Sequence, residues 1–477
     1  MKVLFAASEA HPFVKIGGLG DVAFALPKAL RKMGIDARII MPKYGGIAEL
    51  FKQKMYTLAT FNVPVGWRNQ YGGLQYLEYD GIPFYFIDNE YYFNRKEVYG
   101  HYDDGERFAY FCRGILESIR YMGDFKPDII HCNDWHTAAV VPIYRDRFQH
   151  EWQYNNIRTV FTIHNLKHQG RFGKEMLPEL LGLNWKYFND NGFEYHGDIS
   201  FMKAALNMAD KITTVSETYA EEIKTPYYGE GLDGLLRKRG WDLIGIVNGV
   251  DTDINNPETD NELFYKYNGD NLENKYKNKE KLQEKLQLPV NRNIPIIGMV
   301  TRLFEQKGID LLACVMEDIL QMELQFIVLG TGDSKYEDMF RYYAAKYPNK
   351  LSANIYFSNE LSKQIYAGSD MFIMPSKFEP CGIGQLMAMR YGTIPIVRET
   401  GGLRDTVHSY NEFTGGGNGF SFNNYNAHDM LYTIQRAVKY YYDHKDIWES
   451  LIKRDMWEDN SWNRSARRYV ELYSNIM

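Results

Sequence analysis

VLFAASE at residues 3–9, KIGGLGD at 15–21 and a helical pattern starting near Val22 form the stretch on which the fold reading turns. A short apolar run, a glycine turn and a helix make the first half of a β–α–β unit. The same alternation continues outward in ARIIMPKY (37–44), PFYFID (83–88), DIIHCND (128–134), TVFTIHN (159–165) and KITTVSE (211–217). A second series follows in IPIIGMVTRL (294–303), LQFIVLGTGD (324–333), MFIMPS (371–376) and TIPIVRE (393–399). Short strands alternating with longer helices build parallel sheets, so the fold class is α/β with two Rossmann-like, doubly wound domains. Ligands of such sheets sit beyond the carboxyl ends of the strands, and a deep cleft between the two domains is the expected site.

A length of 477 residues also calls for two cores of about 200 residues each. The boundary is expected near Gly245 to Asp251, giving domains over 1–245 and 246–455. Over 456–477, Trp462, Ala466, Tyr469, Leu472 and Tyr473 recur at helical spacing, which predicts a one-sided helix packing back on the first domain. The polar run NKYKNKEKLQEKLQLP, within Asp251 to Asn293, reads as a connecting helix with surface loops.

Composition excludes several classes. Cys112, Cys132, Cys314 and Cys381 are widely spaced and form no CxxC pair, so neither a disulfide framework nor a zinc knuckle is expected. The opening MKVLFAASEAHPFVKIGG reaches Glu9 and His11 too soon for a signal peptide. No run approaches the roughly 20 apolar residues of a membrane span. A cytoplasmic protein without a membrane partner is the expectation. The net charge of -6 leaves no basic field for nucleic acid. Aromatics reach 15%, with 37 Tyr; they suit sugar rings, although packing accounts for most of them.

Three loops after strands carry the chemistry. Lys15–Asp21 offers glycine backbone and a helix N-terminus to phosphate, without the GxGxxG or Walker pattern of dinucleotide and NTP sites. TRLFEQKG (301–308) places Arg302 and Lys307 around one turn, where two cations stabilise a departing diphosphate without a metal. SKFEPCG (376–382) puts Glu379 at a helix entrance, and Thr400-Gly401-Gly402-Leu403 supplies a further glycine turn. Each loop also has a plain structural reading: a strand-to-helix turn, solvated surface charges, or a carboxylate serving a helix N-terminus. His164 and Asn165 end TVFTIHN. His131, Cys132, Asp134 and His136 run along one strand and its exit, point to different faces and predict no metal site.

The ordered set KIGGLGDV, TIHN, VNGVD, TRLFEQKG, SKFEPCG, TGGLRDTV and SWNRSARRYVELY resembles bacterial glycogen synthases and plant starch synthases, glycosyltransferase family 5 with the GT-B fold. The resemblance spans nearly the whole chain. It implies transfer of glucose from ADP-glucose to the non-reducing 4-hydroxyl of an α-1,4-glucan such as glycogen, with retention, release of ADP and no metal or other cofactor. It makes 1–245 the acceptor side and 246–455 the nucleotide-sugar side. Lys15 and Gly18 are then expected near the donor's phosphates and sugar, with Asp21 supporting their loop. His164 is expected at the glucosyl 6-hydroxyl, and Arg302 and Lys307 at the leaving diphosphate. Glu379 and the backbone of Cys381 and Gly382 would hold the other sugar hydroxyls. Gly401 and Gly402 join the donor site as the further glycine turn, as does Asn248. Phe357 would face adenine; Tyr99 and Asp134 would touch the acceptor. No protein nucleophile is implied.

The chain departs from the family pattern at His168, where Tyr is usual before Gln169, and at Gly384, often Thr or Asn. Met387 stands where related retaining families carry a second Glu. A UDP-sugar-dependent GT-B transferase and an inactive glucan-binding scaffold are the alternatives. Intact Lys15, Arg302, Lys307 and Glu379 speak against the second. Oligomeric state and allosteric control are not encoded in these motifs.

Overall fold

The computed structural model describes residues 1–477, and its first strand, KVLFA at Lys2–Ala6 (β1), is buried from Val3 onward. Such continuous burial suits a central parallel strand covered on both faces. It is followed by β2 (Asp36–Pro42), β3 (Tyr56–Val65), β4 (Arg68–Tyr79), β5 (Ile82–Asp88), β6 (Ile129–Asn133) and β7 (Arg158–Ile163). Three short strands, β8 (Arg171–Phe172), β9 (Glu194–Tyr195) and β10 (Asp198–Ser200), pair separately, and β11 (Lys211–Thr214) and β12 (Leu243–Gly245) return to the main sheet. That sheet has nine strands in the order β12-β11-β7-β6-β1-β2-β5-β4-β3. β3 and β4 form an antiparallel hairpin paired antiparallel to β5, extending the parallel sheet at one edge.

The second sheet contains β13 (Ile296–Val300), β14 (Gln325–Leu329), β15 (Leu351–Asn354), β16 (Met371–Met374), β17 (Ile394–Arg398) and β18 (Phe420–Phe422). Its order is β15-β14-β13-β16-β17-β18, all parallel. Among the parallel strands of each sheet the order reverses once, between β1 and β6 and between β13 and β16. At such a switch point successive crossovers leave to opposite sides and open a crevice at the carboxyl ends. No helix is long and apolar enough to cross a membrane.

Two compact units result, Met1–Asn248 with Trp462–Met477, and Gly249–Ser461. Residues 246–248, expected in the second domain, thus belong to the first unit, and the terminal helix starts at Trp462 rather than 456. Trp457 closes the preceding helix Lys445–Trp457. The helix Trp462–Ser474 buries the face of Trp462, Ala466, Tyr469 and Tyr473 and packs against the helix Gly18–Lys32 of its own unit. The Tyr473 hydroxyl meets His131 Nδ1 in β6 at 2.7 Å, and Ser465 Oγ donates to the Val247 carbonyl.

The polar run forms the expected helix, Glu273–Lys285, but one side of that helix is buried. Lys275, Asn278, Lys279, Leu282 and Gln283 are buried. Lys275 Nζ lies within 3.1 Å of the carbonyls of Ala367, Ser369 and Tyr391 and of Thr393 Oγ1. Lys279 pairs with the buried Asp370 at 2.7 Å. Buried polar groups cost free energy unless partnered, and here one ammonium satisfies the ends of several elements at once. Lys275→Ala removes this shared donor and leaves a cavity, although the Tyr391 and Ser369 carbonyls keep the hydroxyls of Tyr267 and Thr393, and a loss of at least about 2 kcal/mol is expected in urea unfolding. An unchanged unfolding midpoint would show that the ammonium contributes nothing to stability.

Candidate active site

The sequence-selected residues follow the carboxyl ends of parallel strands in both units. In the first unit, Glu9 and the glycine loop come after β1, Asp134 after β6, His164 after β7 and Asn248 after β12. The helix that carries the loop begins at Gly18 rather than near Val22, with Gly17 at its N-cap. Lys15, Gly17 and Gly18 are exposed, and Lys15 Nζ pairs with Asp21 Oδ1 at 2.8 Å.

Glu9 is the functional candidate that sequence reasoning passed over. Its Oε2 accepts the backbone N–H of Ile16 at 2.5 Å and of Gly17 at 3.3 Å, so a buried carboxylate fixes the loop. The signal was present: an acid directly after a central strand, seven residues before bare loop amides. Burial raises the Glu9 carboxyl to about 7 against the pull of those N–H groups.

Asp134 faces the same crevice from β6. Its Oδ1 accepts the N–H of His164 at 2.8 Å and of Asn165 at 3.4 Å. Burial, with the Glu9 charge adding to it, raises this carboxyl to about 7 as well. Its backbone has φ 54 and ψ 179, outside the comfortable range of a non-glycine residue. Strain of this kind persists where the surroundings over-determine it, often at functional sites.

His164 is held neutral: burial pushes its pKa down to about 3. Asn133 Nδ2 donates to the Ala6 carbonyl, which turns Asn133 Oδ1 toward His164 Nε2 at 2.9 Å. Nε2 therefore carries the proton and Nδ1 is left as an acceptor. Tyr99 shares a hydrogen bond with Ser8 Oγ at 2.7 Å and packs against His136, the rings tilted and their centroids 4.6 Å apart. His136 is consumed by that aromatic packing, and His131 is buried between Tyr473 and Thr162. The Oδ1 of the buried Asn248 has no hydrogen-bond partner.

In the second unit, Arg302 and Lys307 follow β13 and Glu379 follows β16, on the two sides of the switch point. Lys307 Nζ and Glu379 Oε2 are 2.6 Å apart, and Ser376 Oγ donates to the same oxygen at 3.0 Å. Arg302 is exposed, with its guanidinium 5.8 Å from the Phe304 ring centre. Backbone packing explains the glycines. A Cβ on Gly401, whose φ is 46, would meet the Glu379 carbonyl at 1.9 Å, and one on Gly402 would meet the Cys381 carbonyl at 2.1 Å. The TGGL turn therefore lies directly on the EPCG segment and brings Gly401 and Gly402 to Glu379, Cys381 and Gly382. Phe357 stands apart, 88% exposed after the edge strand β15.

The raised Asp134 carboxyl sets a pH dependence. The native state keeps this proton up to about 7, whereas an unfolded Asp loses it near 4. The folded state therefore binds more protons between those values, and stability falls as pH rises through the window. Asp134→Asn has no proton to lose. Its melting temperature, relative to the parent chain, should be several degrees higher at pH 8 than at pH 5. A difference that does not change with pH would contradict the buried acid.

Comparison with known proteins adds the following. The family model described as starch synthase catalytic domain matches residues 2–238, and that described as glycosyl transferases group 1 matches 278–453. The glycogen synthase of Clostridium acetobutylicum is 62% identical, with 100% of each chain covered. That of Geobacillus stearothermophilus is 55% identical over 100% of this chain and 98% of its own. Among solved structures, the catalytic domain of starch synthase IV from Arabidopsis thaliana, bound to ADP and acarbose, superposes with a TM-score of 0.93. Its identity is 34%, covering 100% of this chain and 99% of that one.

Proposed function

The chain belongs to the glycogen synthase family, and from that premise we propose that it moves glucose from ADP-glucose to the non-reducing 4-hydroxyl of an α-1,4-glucan, with retention. The observation that carries the reading is the pairing of Lys307 with Glu379 across the second switch point, with Arg302 exposed on the same strand exit. A relative solved with ADP bound supports adenine as the base of the leaving nucleotide.

In this reading the bond from the sugar's C1 to the diphosphate breaks and a bond from C1 to the acceptor O4 forms on the same face. The acceptor proton goes to the departing phosphate oxygen, so no protein nucleophile is needed. Arg302 and Lys307 take up the charge that develops on the diphosphate, a role that cations fixed in advance fill without a metal. Glu379 orients Lys307 and accepts a sugar hydroxyl, with the backbone of Cys381, Gly382, Gly401 and Gly402 closing around the ring. His164, neutral with Nδ1 open, accepts from the 6-hydroxyl. The glycine loop with Lys15, Gly18 and Asp21, held by Glu9, approaches the phosphates. Asn248 turns its unpartnered oxygen to the donor and Phe357 its ring to the base. Asp134 and Tyr99 receive the acceptor. The setting is the cytoplasm, and neither nucleic acid nor membrane takes part.

ADP release from ADP-glucose with glycogen, run beside UDP-glucose and with EDTA, tests the proposal. Rapid, acceptor-dependent, EDTA-resistant ADP release is expected. Activity with UDP-glucose alone would overturn the donor, and none with either would leave a glucan-binding scaffold. Arg302→Ala should lower kcat by at least roughly 100-fold and leave the melting temperature nearly unchanged, because the side chain is exposed. An intact kcat would remove Arg302 from the diphosphate site.

A further inference from the structure

His164 is held by two consecutive residues. Asn133 closes β6 and Asp134 follows it, and along a regular strand neighbouring side chains point to opposite faces. Two such residues reach one partner only where that alternation is broken. The backbone of Asp134, with φ 54 and ψ 179, breaks it. Asp134 Oδ1 then accepts the backbone N–H of His164 at 2.8 Å, while Asn133 Oδ1 meets the ring at Nε2, 2.9 Å away. The unfavourable backbone of Asp134 thus has a structural reason: it sets one histidine between two side-chain oxygens.

Asn133 is fully buried and fixed at both ends. Its Nδ2 donates to the carbonyls of Ala6 at 3.0 Å and of His131 at 3.3 Å. Its backbone N–H donates to Thr137 Oγ1 at 2.6 Å, and that hydroxyl donates back to the Asn133 carbonyl at 2.9 Å. Turning the amide over would set Oδ1 against two carbonyl oxygens, so Oδ1 must face His164, where it can only accept. A neutral imidazole carries one ring N–H, and burial keeps this ring neutral by pushing its pKa down to about 3. That hydrogen therefore sits on Nε2. Nδ1 is left bare on a residue that is only half-buried.

A bare nitrogen of this kind selects its ligand by direction. It pairs with a group that brings a hydrogen, and the primary hydroxyl at C6 of a hexose does so. A 6-deoxy sugar and a pentose bring none, and a hexuronate presents only acceptor oxygens there. Such groups leave Nδ1 unpaired or repel it once the site is filled, and sites built on a hydrogen bond reject the analogue that lacks it.

We propose that Asn133 is a positioning residue which, with Asp134, clamps His164 so that Nδ1 meets the donor sugar as an acceptor, making a hydrogen-bearing hydroxyl at C6 a requirement for transfer. This rests on the glucosyltransferase reading. The clamp lies wholly within the first unit.

Two measurements test it. The first compares kcat/KM, with glycogen as acceptor, for ADP-glucose, ADP-6-deoxyglucose and ADP-6-deoxy-6-fluoroglucose, in the parent chain and in Asn133→Leu. In the parent, both analogues should fall at least roughly ten-fold below ADP-glucose, the fluoro sugar no better than the deoxy sugar, because fluorine can only accept. Asn133→Leu should lower the rate with ADP-glucose and bring the three donors to within a few-fold of each other. A fluoro sugar clearly better than the deoxy sugar in the parent would make Nδ1 a donor and overturn the proposal. Equal losses for all three donors in Asn133→Leu would also overturn it, since a purely structural role leaves their ratios unchanged. The second measurement is the nitrogen NMR spectrum of the parent chain labelled at histidine, with His164 identified by the signals lost in His164→Gln. A protonated Nε2 beside a bare Nδ1 is expected, and the reverse tautomer or a charged ring would overturn the clamp. If no donor is turned over, the functional reading fails, while the spectrum still decides the state of His164.

Discussion

The Lys307–Glu379 pair, 2.6 Å long, spans the one place in the second sheet where strand order reverses. β13 and β16 are neighbours in space but far apart in sequence, and their crossovers leave on opposite sides. The exits of the two strands must therefore be reconciled by side chains. A carboxylate buried there is costly unless charge and hydrogen bonds meet it, and Lys307 with Ser376 does so. The neighbouring glycines follow from the same constraint. Gly308 has φ 74, and a Cβ on it would meet the Pro375 carbonyl at 2.1 Å, so the loop after β13 lies against the start of the SKFEPCG segment. Lys307, one of the cations proposed to meet a leaving diphosphate, is thus placed by the packing of two strand exits.

The first unit solves the corresponding problem with carboxylates that have no cation. Glu9 leaves β1 and Asp134 leaves β6, again the pair of strands at the reversal, and each accepts two backbone N–H groups of a neighbouring loop. Burial raises both toward neutrality. Together with the positive φ of Asp134, this is a region where stability is given up for a fixed arrangement of donors and acceptors. The terminal helix supports it from below, through Tyr473 on His131 of β6.

Much of this was legible because central parallel strands are buried on both faces and read as unbroken apolar runs. Every strand of that kind stood out, and with it the loops after its carboxyl end, hence Lys15, His164, Arg302, Lys307 and Glu379, whereas Asp134 entered through the family resemblance. The hairpin of β3 and β4 did not, because edge strands with one wet face alternate, and YTLATFNVPV is broken by polar residues and a proline. The run at 273–285 was legible as a helix, but its burial was not, because a lysine normally signals solvent, whereas Lys275 and Lys279 are buried and paired. Glu9 escaped notice because its role depends on which amides the folded loop turns toward it. Phe357 was chosen by family resemblance alone, and it lies exposed just after the edge strand β15.

The central claim is that Lys307 and Glu379 act as one unit on the leaving group. A double-mutant cycle in kcat/KM with Lys307→Ala, Glu379→Gln and the pair of substitutions together measures this directly. If the claim holds, each single change costs at least roughly 100-fold and the double change costs little more than the worse single one. Losses that multiply in full would show two residues acting independently, and the switch-point pair would then be only a structural ion pair.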